Sequence, residues 1–327
     1  MVEGKTRALW YVSPGCVELR STNLFRPGAD HAVVRTSWSA LSRGTERLIF
    51  NGKAPPSEYG RMRAPLQEGD FPFPVKYGYC AVGVVEEGPP ALLGREVFVL
   101  HPHQQRFAAP FTMMHLVPQG VPARRACLAA NMETALNALW DSAAGPGDRI
   151  LVAGAGVVGL LTAFLCAGLP GADVTVCDID ESRRPIAASF GAQFAMPADL
   201  AGRDFGADVV FHASATPQGL ATAMDSAGLE ARIIEMSWFG EGATPAPLGG
   251  AFHSRRLQLI GTQVGQVSPS RRPRWSYARR IAKALELLRD ERLDQLFSHE
   301  FEFGELEQKL PQFLATGAPG LTAAIRY

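Results

Sequence analysis

The stretch Gly154-Ala155-Gly156-Val157-Val158-Gly159 constrains this chain more than any other. It follows the apolar run Arg149–Ala153, which reads as a buried strand, and it opens a run to Gly168 that reads as a helix. A strand, a tight turn and a helix with glycines at this spacing make a phosphate cradle. Gly154 permits the turn, Gly156 lets backbone approach a pyrophosphate, and Gly159 lets helix and strand pack closely. The helix amino terminus adds N–H donors toward the negative charge. A second strand follows and ends at Asp178, about 20 residues on, where a carboxylate accepts hydrogen bonds from ribose hydroxyls and repels a 2′-phosphate. NAD(H) is therefore the expected cofactor. NADP(H) is the alternative, which Arg183 and Arg184 would serve if the turn bent toward them. Ile179, and Ala213 and Ser214 after the next strand, are expected beside the same ligand.

The uncharged run from Ile150 to Leu169 is about as long as a membrane-spanning helix. It contains four glycines and its first half is β-branched and short, so a buried strand turning into a buried helix explains it better. No membrane partner is expected.

Around this motif the chain has two textures. Residues 1 to about 130 are short extended runs, Arg7–Val12, His31–Ser37, Ala81–Val85 and Arg95–Leu100, punctuated by Pro14-Gly15, Pro27-Gly28 and Gly88-Pro89-Pro90. That is the pattern of a β-rich domain. Asn51 to Pro74 lacks periodicity and reads as a long surface loop. From about Ala126 strands and helices alternate to Gly261, which specifies a parallel sheet covered on both faces. Tyr277–Leu288 is one further helix.

With 327 residues, two domains are expected. Lys plus Arg equals Asp plus Glu at 32 each, which argues against a dedicated nucleic-acid binder. Five cysteines without a C-x-x-C pair argue against a disulfide framework or a thiolate zinc finger. No apolar run follows the first residues, and a reducing cytoplasm is the expected compartment.

The order of parts resembles the medium-chain dehydrogenase/reductases. Gly44-Thr45-Glu46 resembles the family's G-T-D, Gly78-Tyr79-Cys80 stands where zinc-dependent members have G-H-E, and Ala81–Gly88 continues that motif. The resemblance implies an α/β chain: a GroES-like β-rich catalytic domain, 1–131 with 265–327, and a Rossmann doubly wound nucleotide-binding domain, 132–264. It places Thr134 beside the nicotinamide and implies a homodimer. Ser42 to Glu46 and Lys53-Ala-Pro-Pro resemble the subgroup of bacteriochlorophyllide hydroxyethyl dehydrogenases and their relatives.

The departures carry the chemistry. The three positions that hold catalytic zinc in the family read Arg43, Tyr79 and Ala130: a cation, a poor ligand and no ligand atom. The four-cysteine structural zinc lobe is missing as well. No metal is expected. A side chain must then handle the proton that accompanies hydride transfer. Tyr79 is the first candidate and Glu46, with Thr45 beside it, the second, although a loop-bracing role for Glu46 fits better than catalysis. Arg43, His103, His253, Arg255 and Arg256 are candidate substrate contacts. His103 and its neighbour His101 read more readily as packing or surface residues.

The leading reading is a zinc-independent oxidoreductase acting with NAD(H) on an alcohol/carbonyl pair. Reduction of a quinone or an activated C=C bond with NADPH is the second, and a dinucleotide-binding sensor without turnover the third. Residues 251–280 hold seven arginines and no acid. A positive field there would suit an anionic substrate, while a solvated basic face or a subunit interface explains it slightly better.

Overall fold

The computed structural model describes residues 2–25 and 29–327; Pro27-Gly28 lies outside them. Strand β1 (Val2–Ser13) turns at Pro14-Gly15, where Gly15 takes φ +77°, into β2 (Cys16–Phe25), and Leu9 faces Leu19 across the hairpin. The third strand, β3 (His31–Ala40), runs almost directly into helix α1 (Arg43–Phe50). Then follow β4 (Glu68–Gly69), β5 (Val75–Lys76), β6 (Ala81–Glu87), β7 (Glu96–Val99), β8 (Arg106–Pro110) and β9 (His115–Leu116). One sheet has the order β2-β1-β5-β4. The inward faces of β3, β6, β7 and β8 bury Val34, Val85, Val97, Val99 and Phe107 as one apolar core.

The segment 51–74 is not wholly a surface loop. Ala54, Ala64, Gln67 and Phe71 are buried, and β4 within it pairs with β5. Its charged tip is tied inward, since the buried Lys76 ammonium donates to Glu68 and to Gln104.

After α2 (Ala123–Ala126), helix α3 (Ala129–Ser142) leads into the alternating region. This comprises β10 (Arg149–Ala153), α4 (Val157–Ala167), β11 (Asp173–Cys177), α5 (Arg184–Ser189), β12 (Gln193–Ala195), α6 (Pro197–Leu200), β13 (Ala207–His212), α7 (Pro217–Ser226), β14 (Ala227–Glu235) and β15 (Gln258–Gly261). The six strands are all parallel, in the order β12-β11-β10-β13-β14-β15. Counted along the chain that is 3-2-1-4-5-6, the doubly wound Rossmann order, with a crevice at the carboxyl ends where the winding reverses beside β10. Leu151, Val210, Ile233, Leu220 and Met224 fill one face of its core. The uncharged run at 150–169 is β10 and α4, and no helix among the described residues is long and apolar enough to cross a membrane.

Helix α8 (Tyr277–Leu287) leads to β16 (Phe297–Glu302), α9 (Leu306–Leu314) and β17 (Thr322–Arg326). The last strand enters the first region's larger sheet, whose order is β16-β17-β3-β6-β7-β9 with β8 also on β3.

The chain divides into two compact units, 1–130 with 281–327, and 131–280. Residues 265–280, expected with the first unit, group with the second. The reason is Arg280, 1% exposed, whose guanidinium donates to Glu133 Oε1 at 2.8 Å, to Asn137 Oδ1 at 2.7 Å and to the carbonyls of Val264 and Gln266.

Candidate functional site

In the second unit, each glycine of the motif has a specific job. Gly154 takes φ +114°, and a Cβ there would stand 2.7 Å from Ser214 N. A Cβ on Gly159 would stand 1.9 Å from the Gly154 carbonyl oxygen. Gly156 caps α4 in an extended conformation, and a Cβ built on it meets nothing within 4 Å. The face over Gly156 is thus open, while the first turn of α4, with Val157 and Val158, leaves N–H groups without partners inside the helix.

Asp178 stands at the tip of β11. Its carboxylate accepts from Ala155 N at 2.5 Å and from Asp180 N at 2.8 Å, which locks it to the glycine loop. Ile179 beside it is 82% exposed, an apolar surface without cover. The two nearby arginines are engaged: Arg183 pairs with Asp180 at 2.9 Å, and Arg184 with Glu181 at 2.9 Å while lying over Phe194. Ala213 and Ser214 follow β13 and back directly onto Gly154. Thr134 is partly exposed in α3. The fit to a dinucleotide is thus one of open backbone over Gly156, a donor-rich helix end and a fixed carboxylate.

The first unit holds a buried polar chain. Glu46, fully buried in α1, accepts from Ser42 N at 2.6 Å and from the Tyr11 hydroxyl at 2.6 Å. Its Oε2 lies 3.0 Å from His103 Nε2, whose Nδ1 is 2.8 Å from Ser39 Oγ, and Ser39 Oγ is 2.9 Å from the Tyr327 hydroxyl. A Cβ on Gly78 (φ +121°) would stand 2.8 Å from the His103 ring, so the turn before Tyr79 is shaped by that imidazole. Burial, then the Glu46 charge, pushes the Tyr11 phenol well above its ordinary range. Half-buried Tyr79 is also pushed up by burial, partly offset by hydrogen bonds with the side chains of Ser42 and Thr45.

Several expected contacts are corrected. His103 does not sit on an open loop; it is fully buried between Glu46 and Ser39. Arg43 is engaged as a brace: its guanidinium donates to the carbonyls of Phe313, Ala318 and Gly320 and lies 4.7 Å from the Phe313 ring centroid. His253, Arg255 and Arg256 precede β15, at the amino ends of the parallel strands, whereas the glycine loop is at their carboxyl ends. There Arg255 donates to the Ala227 carbonyl and lies 3.5 Å from Asp204, and Arg256 pairs with Glu230. With Arg280 on Glu133, three of the seven arginines are spent on internal pairs. Arg271 and Arg279 lie over the indoles of Trp140 and Trp275.

The zinc positions of the resembled family do not offer a donor set here. Arg43 is a cation committed to carbonyls, the Tyr79 phenol is held protonated, and Ala130 has no ligand atom. Among the described residues, no group of three His, Cys, Asp or Glu side chains is placed to hold a metal.

Sequence reasoning had no signal for Tyr11, Ser39 and Tyr327, which lie far apart in the chain: pairing of β17 with β3 brings Tyr327 to Ser39, and Tyr11 reaches Glu46 from a strand of the other sheet. Glu235 and the buried His212 were equally silent; they stand at adjacent strand ends that only the sheet register brings together.

No family model matches the chain. Solved structures share its fold over nearly the whole length. An Escherichia coli L-idonate 5-dehydrogenase superposes with a TM-score of 0.80 at 12% identity, covering 99% of each chain. A dehydrogenase of Sinorhizobium meliloti described as zinc-binding, solved with NADP, gives 0.79 at 16% identity over 99% of this chain and 100% of that one. A short chain alcohol dehydrogenase of E. coli solved with NADH gives 0.78 at 15% over the same shares. At these identities the likeness establishes the fold.

Proposed function

We propose that this protein is an oxidoreductase of the medium-chain dehydrogenase/reductase superfamily that uses NAD(H) on an alcohol/carbonyl pair without zinc, close in kind to the bacteriochlorophyllide hydroxyethyl dehydrogenase subgroup. The observation that carries the reading is the glycine loop with Asp178 locked against Ala155 N: an open phosphate cradle beside a fixed carboxylate. The fold neighbours solved with NADP and with NADH support a nicotinamide dinucleotide. The choice of NAD(H) rests on charge, since Asp178 is negative and Arg183 and Arg184 already face acids.

When bound, the nicotinamide supplies or accepts the hydride. The residues of this chain do the rest. Gly156 and the start of α4 hold the pyrophosphate, and Asp178 holds the adenosine ribose. In the first unit Tyr79 is the proton donor to a carbonyl, its phenol kept protonated by burial and set by Ser42 and Thr45. Glu46 and His103 stiffen the turn that carries it.

The test is a paired titration and metal assay. Protein produced in zinc-supplemented medium should bind NADH more tightly than NADPH and carry zinc well below one equivalent by mass spectrometry. One equivalent of zinc whose removal abolishes turnover would overturn the zinc-independent reading. Tighter binding of NADPH would favour the quinone or enone reductase instead.

A further inference from the structure

The second unit contains a polar cluster that the function above does not use. His212, the last residue of β13, is fully buried. Its Nδ1 lies 2.6 Å from Glu235 Oε2 at the end of β14, and its Nε2 lies 2.7 Å from Ser214 Oγ. The other carboxylate oxygen, Glu235 Oε1, accepts from Ser237 N at 2.8 Å. Ser214 Oγ is 3.0 Å from Thr216 Oγ1, which accepts from Gly219 N at 3.0 Å. The loop is tightly drawn: Ala215 takes φ +53° with its N–H on Ser237 Oγ, and a Cβ on Gly219 would stand 2.0 Å from Ser214 Oγ.

With the imidazole in its neutral form, donor and acceptor counting gives a direction to every bond. A carboxylate only accepts, so Nδ1 carries the imidazole proton and Nε2 of the neutral ring is an acceptor. The Ser214 hydroxyl must then donate to Nε2. Its single hydrogen is spent, so its oxygen can only accept from anything else, and Thr216 donates to it. One lone pair is left over.

The place of Ser214 is set by the sheet. Strand β13 lies on one side of β10 and β11 on the other. Asp178 stands just past the end of β11, whereas partly exposed Ser214 follows β13 and its backbone nitrogen lies 2.7 Å from where a Cβ on Gly154 would stand, on the other side of the turn. A dinucleotide with one ribose on Asp178 therefore has its other half on the Ser214 side of the glycine loop.

We propose that Glu235, His212 and Ser214 form a hydrogen-bond relay that presents the Ser214 hydroxyl as an obligatory acceptor for a hydroxyl of the second, non-adenosine sugar of the dinucleotide. Ser214 is the contact, and His212 and Glu235 are positioning residues. The inference rests on the second unit's reading as a dinucleotide-binding domain.

The decisive variant is Glu235→Gln. Because Ser237 N holds the carbonyl oxygen of the new amide, its NH2 faces Nδ1 and donates to it. The imidazole proton then moves to Nε2, which donates to Ser214, and the hydroxyl's own hydrogen is released outward. The relay is reversed with no hydroxyl removed.

Two measurements test this. Nitrogen-15 NMR of the ligand-free protein should find Nε2 of His212 unprotonated, and protonated in Glu235→Gln. Titrations with NADH, ADP-ribose and AMP should show Ser214→Ala and Glu235→Gln each weakening NADH and ADP-ribose by about tenfold, the scale of one hydrogen bond. AMP should bind both variants as it binds the parent protein. A protonated Nε2 in the parent protein, or ADP-ribose binding unchanged in both variants, overturns the relay. A parent protein that binds neither NADH nor NADPH refutes the dinucleotide reading itself, and the sugar contact with it, whatever tautomer the NMR reports.

Discussion

Glu46 and His103 meet carboxylate to imidazole at 3.0 Å, and neither has any solvent-exposed surface. A buried partner left alone is costly, so Glu46→Ala should lower the unfolding free energy by about 3–5 kcal/mol in denaturant titrations. Tyr11→Phe, which removes only one donor to the same carboxylate, should cost about 1 kcal/mol. Equal costs for the two would show that Glu46 is not the hub of this chain.

His101 should make the protein acid-sensitive. Burial, then the Lys76 charge, pulls its pKa from 6.5 down to about 3, and its ring stacks on Phe107 at 3.7 Å. Between pH 6.5 and 3 the unfolded chain binds a proton here that the folded chain does not. Stability therefore falls as the pH falls through that window, by up to about 1.4 kcal/mol per unit. His101→Phe keeps the stack and removes the titration, so its stability should depend less steeply on pH between 4 and 6 than that of the parent protein.

Gly159→Ala places a methyl against the Gly154 carbonyl oxygen. The helix must move off the strand, at a cost of about 1–3 kcal/mol. NADH affinity should fall more than tenfold with it, read by cofactor fluorescence. Unchanged affinity would separate the glycine loop from cofactor binding.

Asp178→Ser removes the fixed negative charge and leaves the loop N–H groups a weaker partner. The ratio of NADH to NADPH affinity should shift by about tenfold or more toward NADPH, the scale of a charged hydrogen bond. A ratio that does not move would assign cofactor choice elsewhere.

Tyr79→Phe should reduce turnover by about 10²–10⁴, the usual contribution of a positioned proton donor, with NADH affinity unchanged. A screen of aldehydes, ketones and alcohols supplies the assay. Full activity would remove Tyr79 from the chemistry.

The glycine-loop unit was legible because it is local: the glycines, the strand before them and Asp178 lie within one stretch, and the backbone geometry each needs is written in residue type. β2 was missed although Val17-Glu18-Leu19-Arg20 alternates as a half-buried strand does, because Ser21-Thr22-Asn23 then breaks the pattern; β8 because Ala108-Ala109-Pro110 carry little strand preference; and β9 and β12 because two or three residues show no period. The first unit's site was legible only as a set of substitutions at zinc positions. Its actual wiring joins Tyr11, Ser39, Glu46, His103 and Tyr327, and no spacing rule links residues brought together by different strands. Basic residues misled for a related reason. Arg43, Arg255 and Arg280 look like anion contacts in a sequence, yet long guanidiniums serve as well to tie off backbone carbonyls inside the protein.

The larger sheet of the first unit sets an order of events during synthesis. Trp38 to Ala40 of β3 pair with Ala324 to Arg326 of β17, so that stretch leaves the ribosome long before its partner exists. The intervening second unit is continuous and has all its strands in hand by residue 261. It can finish folding while β3 still shows an open edge, the kind of surface that recruits foreign strands. The first unit must therefore close after translation has passed it twice, and a chain stalled before Thr322 is a completed parallel-sheet unit attached to an unfinished sheet.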